Sequence, residues 1–458
     1  MSSHPSPPNI LLVQCDQLSA LALPSYGHRV VRAPHIDSLA EHGVVFDNAY
    51  CNFPICAPSR FSMLSGTLAS EIGAFDNGAE FMASQPTLTH YLRARGYRTC
   101  LSGKMHFVGP DQLHGFERRV TTDIYPADFY WTPDWGRSGE RYAFEKGGGV
   151  TGVDSLEDAG VRARTMQLDY DDEVTHRGVR QIYDFARSNE NAPFFLTVSF
   201  THPHDPYIAT QAYWDRYRHD DIDMPTTAPI PFEDQDPHSQ KHHLHIGLDR
   251  RTPDEAVVRR VRHGYYAAVS YLDDRLGELL SALQATGLRE STVVLLTSDH
   301  GDMLGERGMW FKQTFFEWAM RVPLIVSWPE QFPSRRVSGN VSLIDLLPTL
   351  VELAGADSGA LIEPMRGHSL MPLLHGDQAG WPDVVYAEHL SDAAYATRVM
   401  IRRGRYKYVA SSVYPPMLFD LEDDPEELTN LASDPGHAER AASLAQETRE
   451  IWDLDGLD

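Results

Sequence analysis

Four short apolar runs, each ending in residues that ligate metals or move protons, constrain this chain most. NILLVQCD (9–16) ends at Asp16 and is followed by Gln17. YRTCLSGKMH (97–106) leads into Lys104 and His106, and FFLTVSFTHPH (194–204) into His202 and His204. STVVLLTSDHG (291–301) brings Asp299 and His300, and VPLIVSWP (322–329) is a fifth run of the same kind. Short, continuously apolar segments read as strands buried on both faces, and segments with helical periodicity separate them. The alternation predicts an α/β fold, a mostly parallel sheet sandwiched by helices. In such sheets ligands bind beyond the carboxyl ends of the strands. The polar residues, remote in sequence, are therefore expected to converge.

The clearest helical segment runs from about Asp254 to Thr286. Tyr265, Val269, Leu272, Leu276, Leu279 and Leu283 recur there at spacings of three and four, and Gly287 is a good stop. Beyond the turn-rich HGDQAGWPD (375–383) the pattern changes. VVYAEHL, RVMIRRGRYKYVAS and PMLFDLEDDPEELTNL read as strands joined by turns, followed by an acidic segment and a final helix. The expected organisation is a catalytic domain over 1–380 and a C-terminal α+β subdomain with an antiparallel sheet over 381–458. EKGGGVTGVDS (145–155) reads as an exposed flexible connection, and DPHSQKHHLH (236–245) as a hydrated loop without fixed ligand geometry.

Acidic residues number 64 against 40 lysines and arginines, a formal charge of −24. Such a surface repels phosphate backbones and anionic lipids, which argues against nucleic-acid and membrane partners. A small anionic substrate stays open, because a few buried cations dominate one pocket. The N-terminal MSSHPSPPNILLVQCD lacks the plan of a signal peptide, and no run of about 18 apolar residues appears. The four cysteines form no dense disulfide framework. A soluble cytoplasmic protein is expected, and its oligomeric state stays open.

Two aspartates and a histidine at strand ends suit a divalent cation. Carboxylates favour Ca²⁺ or Mg²⁺, and the imidazole leaves Mn²⁺ open. A second feature is CNFPICAPSRFSMLSG (51–66). Pro58 suits a first helical turn and Gly66 a helix end, which puts Cys56 at a helix N-terminus with Arg60 one turn on. That is the place for a nucleophile facing an anion, or for a buried thiol beside a structural arginine. The residues alone leave both readings open.

The motifs together carry a resemblance. CAPSR matches the C-x-P-S-R signature of the sulfatase family, SMLSG fits its extension, and NILLVQCDQ, GKMH, FTHPH and SDHGDMLGE follow in family order. The resemblance covers essentially the whole chain. Longer stretches, CNFPICAPSRFSMLSG, SGKMHFVGPDQLHGFERR, TTDIYPADFYWTPDW and THPHDPY, are similar to the choline-sulfatase subgroup. It implies an alkaline-phosphatase-like fold and conversion of Cys56 to formylglycine by a formylglycine-generating enzyme. It further implies that the aldehyde hydrate attacks sulfur, the alcohol leaves, and C–O cleavage then releases sulfate.

By position, the resemblance makes Asp16, Gln17, Asp299 and His300 the metal set together with residue 56, with Ca²⁺ first and Mg²⁺ or Mn²⁺ as alternatives. Gln17 stands where many sulfatases have aspartate, and His300 where many have asparagine. Arg60 is implied to hold the hydrate, Lys104 and Lys312 to clamp sulfate, His106 to be the base of the elimination, and His202 the acid for the leaving alcohol, with Lys312 as competitor. For the substrate, Phe129, Tyr130 and Trp131, with Asn77, are implied to receive a quaternary ammonium group through cation–π contact, as in choline sulfate. Residues 389–417 resemble the subgroup less. Another small alkyl or zwitterionic sulfate is therefore a second expectation. The rivals are a phosphonate or phosphate monoester hydrolase on the same fold, and a catalytically silent binding protein.

Overall fold

The computed structural model describes residues 7–128, 152–188, 190, 192–329, 331–356, 362–390 and 396–457. Ten strands come first: β1 (Asn9–Asp16), β2 (Val44–Tyr50), β3 (Arg98–Gly103), β4 (Arg118–Arg119), β5 (Gly160–Val161), β6 (Phe194–Pro203), β7 (Ile208–Ala209), β8 (Thr292–Ser298), β9 (Leu324–Ser327) and β10 (Arg335–Ser342). Eight of them form one sheet in the order β10-β2-β9-β8-β1-β6-β3-β4. β1 runs parallel to β6 and to β8, and β6 parallel to β3. The carboxyl ends of all four motif-bearing strands thus lie along one edge. β9 runs antiparallel to both of its neighbours.

Helices α1 (Pro34–Glu41), α2 (Cys56–Ser65), α3 (Leu88–Ala94), α4 (Met166–Arg187), α5 (Gln211–Trp214), α6 (Pro237–Ile246) and α7 (Glu255–Ala285) connect these strands. Alternation along β1 feeds two cores. Ile10 and Leu12 pack with Phe61 and Leu64 of α2 and Leu88 of α3, whereas Leu11 and Val13 pack with Val174 of α4 and Val261 and Leu272 of α7. The expected stripe of α7 is buried throughout. Asp254 caps that helix by accepting from the Val257 N–H at 2.9 Å, and Gly287, just beyond its end, takes φ 73°.

The C-terminal strands β11 (Val384–His389), β12 (Arg398–Arg403), β13 (Tyr406–Ser411) and β14 (Met417–Asp420) form an antiparallel sheet in chain order. One face gives Val385, Ala387, Met400 and Val409 to the core shared with α2. The other gives Val399, Ile401 and Leu418 to a smaller core with Leu444 of the C-terminal helix Ala438–Ile451, which one short turn of helix, Leu454–Leu457, follows. Lys407 is buried between Glu317 and Glu427, 2.7 Å from each. The small sheet is thus built into the body of the large one.

One expectation fails here. Residues 237–246 form helix α6 rather than a hydrated loop. Asp236 caps it, accepting from the His238 and Ser239 N–H groups at 3.0 and 3.1 Å, and His238 and His242 are buried. Of EKGGGVTGVDS, residues 145–151 lie outside the described part. No helix among the described residues is long and apolar enough to cross a membrane.

Candidate active site

Helix α2 presents its first residue, Cys56, to the carboxyl edge of the large sheet. All ten residues of α2 are buried, and Gly66 ends it at φ 72°. The Ala57 N–H donates to Asn77 Oδ1 at 2.9 Å, so Asn77 occupies one of the helix's open amides. Ser59 Oγ donates to the Asp299 carbonyl at 2.6 Å and ties the helix to the end of β8.

Cys56 Sγ lies 3.2 Å from His300 Nε2 and 3.7 Å from Asp16 Oδ1. One ligand atom from each of Asp16, Cys56, Asp299 and His300 falls within 4.8 Å of the others, and all four residues are buried. His300 Nδ1 lies 3.0 Å from the Gly301 carbonyl. That partner only accepts, so Nδ1 carries the proton and the Nε2 lone pair faces Asp16 and Asp299, each 3.8 Å away. A lone pair turned toward two carboxylates is an arrangement that a cation satisfies. The donor set therefore fits a divalent metal.

Two cations neutralise the carboxylates. Arg60 Nε donates to Asp299 Oδ2 at 2.8 Å, and its NH1 to the Lys104 carbonyl and Ser199 Oγ, both at 2.9 Å. Lys104 Nζ pairs with Asp16 and sits 4.3 Å over the Tyr125 ring. Burial lowers the Lys104 ammonium to about 7 although Asp299 opposes it. Burial alone would raise Asp299, yet Arg60, His300 and Lys104 hold its carboxyl below the ordinary range. The Cys56 thiol is pushed up to about 12 by burial, opposed by Lys312. As a thiol it is a poor nucleophile at neutral pH.

The GKMH segment is held by Asp123, which accepts from the Met105 and His106 N–H groups at 3.0 and 2.9 Å and is itself held by Arg119 at 2.6 Å. His106 takes φ 62° and packs 4.9 Å from the Tyr125 ring. Burial beside Lys104 keeps its imidazole neutral. Lys312 Nζ lies 2.7 Å from His204 Nε2 and donates to Gln17 Oε1 at 2.6 Å. His204 Nδ1 lies 3.0 Å from the Asp205 carbonyl.

Two expected roles change. His202 is turned elsewhere: its Nδ1 lies 2.6 Å from Asp171 of α4, and its ring packs 5.0 Å from Tyr271 of α7. His204 is the histidine that meets Lys312. His202 and His204 are two residues apart, so an unbroken strand would turn both to the same face; between Gln14–Ser199 and Asp16–Pro203 the pairing of β1 with β6 slips, and the bulge in β6 lets the two histidines part. The Gln17 side chain lies between Lys312 and Asp302: its oxygen accepts from Lys312, and its nitrogen donates to Asp302 Oδ2 at 2.5 Å. Its backbone N–H donates to Asp299 Oδ1 at 3.1 Å, so it braces the Asp299 carboxylate. Phe129, Tyr130 and Trp131 lie outside the described residues. Asp302 was not expected from the sequence, although it stands within the SDHGD motif; Asp123 stood out there only as a carboxylate among the aromatic residues of TTDIYPADFYWTPDW, and its hold on the GKMH segment was not foreseen.

The sulfatase family model matches residues 8–356, and that for the C-terminal part of N-sulphoglucosamine sulphohydrolase matches residues 305–453. The chain is 44% identical to the choline-sulfatase of Rhizobium meliloti (strain 1021), covering 98% of this chain and 88% of that protein. It is 31% identical to arylsulfatase K of Gallus gallus, covering 94% and 80%. Among solved structures, a phosphonate monoester hydrolase from Silicibacter pomeroyi superposes with TM-score 0.78 at 24% identity, over 97% of this chain and 95% of that one. The protein BT4656, solved with its substrate D-glucosamine-2-N,6-O-disulfate, gives 0.77 at 20% identity over 97% of each chain. These likenesses show an alkaline-phosphatase-like fold. A signature cysteine at a helix start, a buried donor set beside it and a family match over most of the length lead to one conclusion: the chain belongs to the sulfatase family and is a sulfuric ester hydrolase.

Proposed function

We propose that this enzyme hydrolyses choline sulfate to choline and sulfate. The supporting observation is the 44% identity to a choline-sulfatase across nearly the whole chain, joined to the cluster around Cys56. Formylglycine made from Cys56 by a maturation enzyme would supply an oxygen nucleophile with an exit route by elimination. A divalent cation, with calcium placed first and magnesium or manganese as alternatives, would be held by Asp16, Asp299, His300 and residue 56 and would supply Lewis acidity at the sulfuryl oxygens.

The chain's own residues do the remaining work. Arg60 fixes Asp299 and balances its charge in a dry site. Lys104 and Lys312 hold sulfate oxygens. His106, kept neutral by burial, accepts a proton during elimination. The Lys312–His204 pair delivers a proton to the departing alcohol, the role expected of His202 from the sequence. Asn77 steadies the helix that carries residue 56. The aromatic residues 129–131 receive the trimethylammonium group, and the enzyme works in the cytoplasm.

The test is a panel of esters given to enzyme whose residue 56 is confirmed as formylglycine by peptide mass spectrometry. Choline sulfate is expected to exceed aryl phosphates and phosphonates in kcat/KM by about two orders of magnitude or more. Comparable or reversed rates return the phosphonate monoester hydrolase reading.

A further inference from the structure

The two neighbours of Lys312 hold an unusual backbone. Phe311 takes φ 65° and Gln313 φ 64°, left-handed values that residues with side chains keep only where their surroundings impose them. Their backbone groups are engaged one by one. The Phe311 N–H donates to Asp302 Oδ1 at 3.1 Å, and its carbonyl accepts from the Met303 N–H at 2.7 Å. The Gln313 N–H donates to the carbonyl of Pro54, two residues before Cys56, at 3.1 Å. His242 of α6 lies against the Lys312 peptide.

The remaining group, the Gln313 carbonyl, is held from the C-terminal sheet. It accepts from a terminal nitrogen of Arg398, the first residue of β12, at 2.5 Å. Arg398 is 2% exposed, and Asp236 opposes the cost of burying its charge. Its Nε donates at 2.8 Å to Nδ1 of His389, its partner across β11 and β12. A guanidinium only donates, so His389 accepts and sets the direction of the fork. The Phe53 ring packs edge-on 5.7 Å from that imidazole, and the Phe315 ring lies 5.8 Å from the guanidinium. The fork is thus aimed by one sheet and spent on one peptide of the Lys312 loop.

We infer that Arg398 is a positioning residue of the sulfatase reaction: from the C-terminal sheet it holds the Gln313 peptide and, through it, the aim of Lys312 Nζ at the sulfate oxygens. Without that bond Gln313 loses one of the contacts that impose its left-handed backbone, and its relaxation swings the lysine stem. A misplacement of about 1 Å at a reacting centre costs up to about 10²-fold in rate. The inference rests on the role proposed for Lys312 and makes the small sheet part of the apparatus that holds sulfate.

A double-mutant cycle tests it, with residue 56 confirmed as formylglycine in each enzyme. Lys312→Ala is expected to lower kcat/KM for choline sulfate by about 10²-fold or more. Arg398→Met is expected to lower it about tenfold and to weaken inhibition by inorganic sulfate by a similar factor. Once Lys312 is alanine, the same change is expected to alter kcat/KM by less than about twofold. Arg398→Lys, which keeps a donor, is expected to recover part of the loss. A merely structural role would lower the melting temperature and leave the kinetics and sulfate inhibition of the folded enzyme unmoved. Equal losses in both backgrounds, or no loss in the first, overturn the inference. Failure of both Arg398 variants to fold overturns it as well, because the residue then serves the fold as a whole. An unchanged rate in Lys312→Ala removes the clamp role of Lys312 and the inference with it, whereas a loss there with none at Arg398 removes the inference alone. If choline sulfate is inert, 4-nitrophenyl sulfate carries the same cycle, so failure of the choline reading is seen separately.

Discussion

His204 Nε2 lies 2.7 Å from Lys312 Nζ, and the direction of that hydrogen bond is determined. An ammonium only donates, so the imidazole accepts and carries its own proton on Nδ1, toward Asp205. One residue follows β6 and the other lies past the SDHGD motif of β8. The pair sets the Lys312 side chain against an imidazole that burial keeps uncharged.

The two histidines of FTHPH should therefore separate by phenotype. His204→Ala is expected to lower kcat toward choline sulfate by about 10²–10³-fold, and toward 4-nitrophenyl sulfate far less, because nitrophenolate leaves without a proton. His202→Ala is expected to cost about 1–3 kcal/mol of stability by removing the side-chain donor to buried Asp171, which keeps the Thr201 and His202 backbone N–H groups, with kcat near wild type. Steady-state kinetics and denaturant unfolding check both. If His202→Ala loses turnover at unchanged stability, the acid role returns to His202.

Cys56→Ala is expected to abolish turnover, by about 10³-fold or more, while leaving the fold intact. The residue starts a helix closed by backbone hydrogen bonds, and a methyl group fits where the thiol sits. Circular dichroism and a thermal melt should match wild type. Measurable turnover by the purified variant would refute residue 56 as the nucleophile's origin.

Metal removal should act on activity and stability together. Dialysis against a chelator is expected to abolish hydrolysis, and adding Ca²⁺, Mg²⁺ or Mn²⁺ singly ranks the candidates. Binding to the folded state alone raises stability by about 2.7 kcal/mol at a hundredfold excess over Kd. A chelated enzyme with full activity and an unchanged melting temperature would remove the metal from the proposal.

Helix α6 gives the protein an acid limit. Burial pushes His238 and His242 down to about 3, while in the unfolded chain they take protons near 6.5. Between those values the unfolded state binds more protons, so stability falls as pH drops below about 6.5. The slope reaches up to about 1.4 kcal/mol per pH unit for each fully shifted histidine. Unfolding curves at pH 7.5, 6 and 5 measure it, and His242→Gln should flatten the trend. An identical slope in that variant would show that His242 does not contribute.

Much of this was legible in the sequence because parallel strands place their ends together. Asp16, Lys104 and Asp299 could be expected to converge without knowing any contact, and the stripe from Tyr265 to Leu283 predicted α7. Other features depend on facts that periodicity does not encode. A bulge in β6 decides between His202 and His204. The histidine-rich segment 237–246 has no clear apolar stripe, so its helix is recognisable only once the Asp236 cap and the buried faces of His238 and His242 are known. Gln17 looked like a ligand by position, but φ 68° and the pull of Lys312 and Asp302 turn its amide aside.

The burial of α2 also sets an order of events. Cys56 is 2% exposed and belongs to a helix with every residue buried. Under the proposal that Cys56 is converted to formylglycine, a modifying enzyme would have no way to grip that backbone once the core had closed over it. Modification and folding would then compete for the same cysteine, and the active fraction of a preparation would be fixed during synthesis, before any substrate is met.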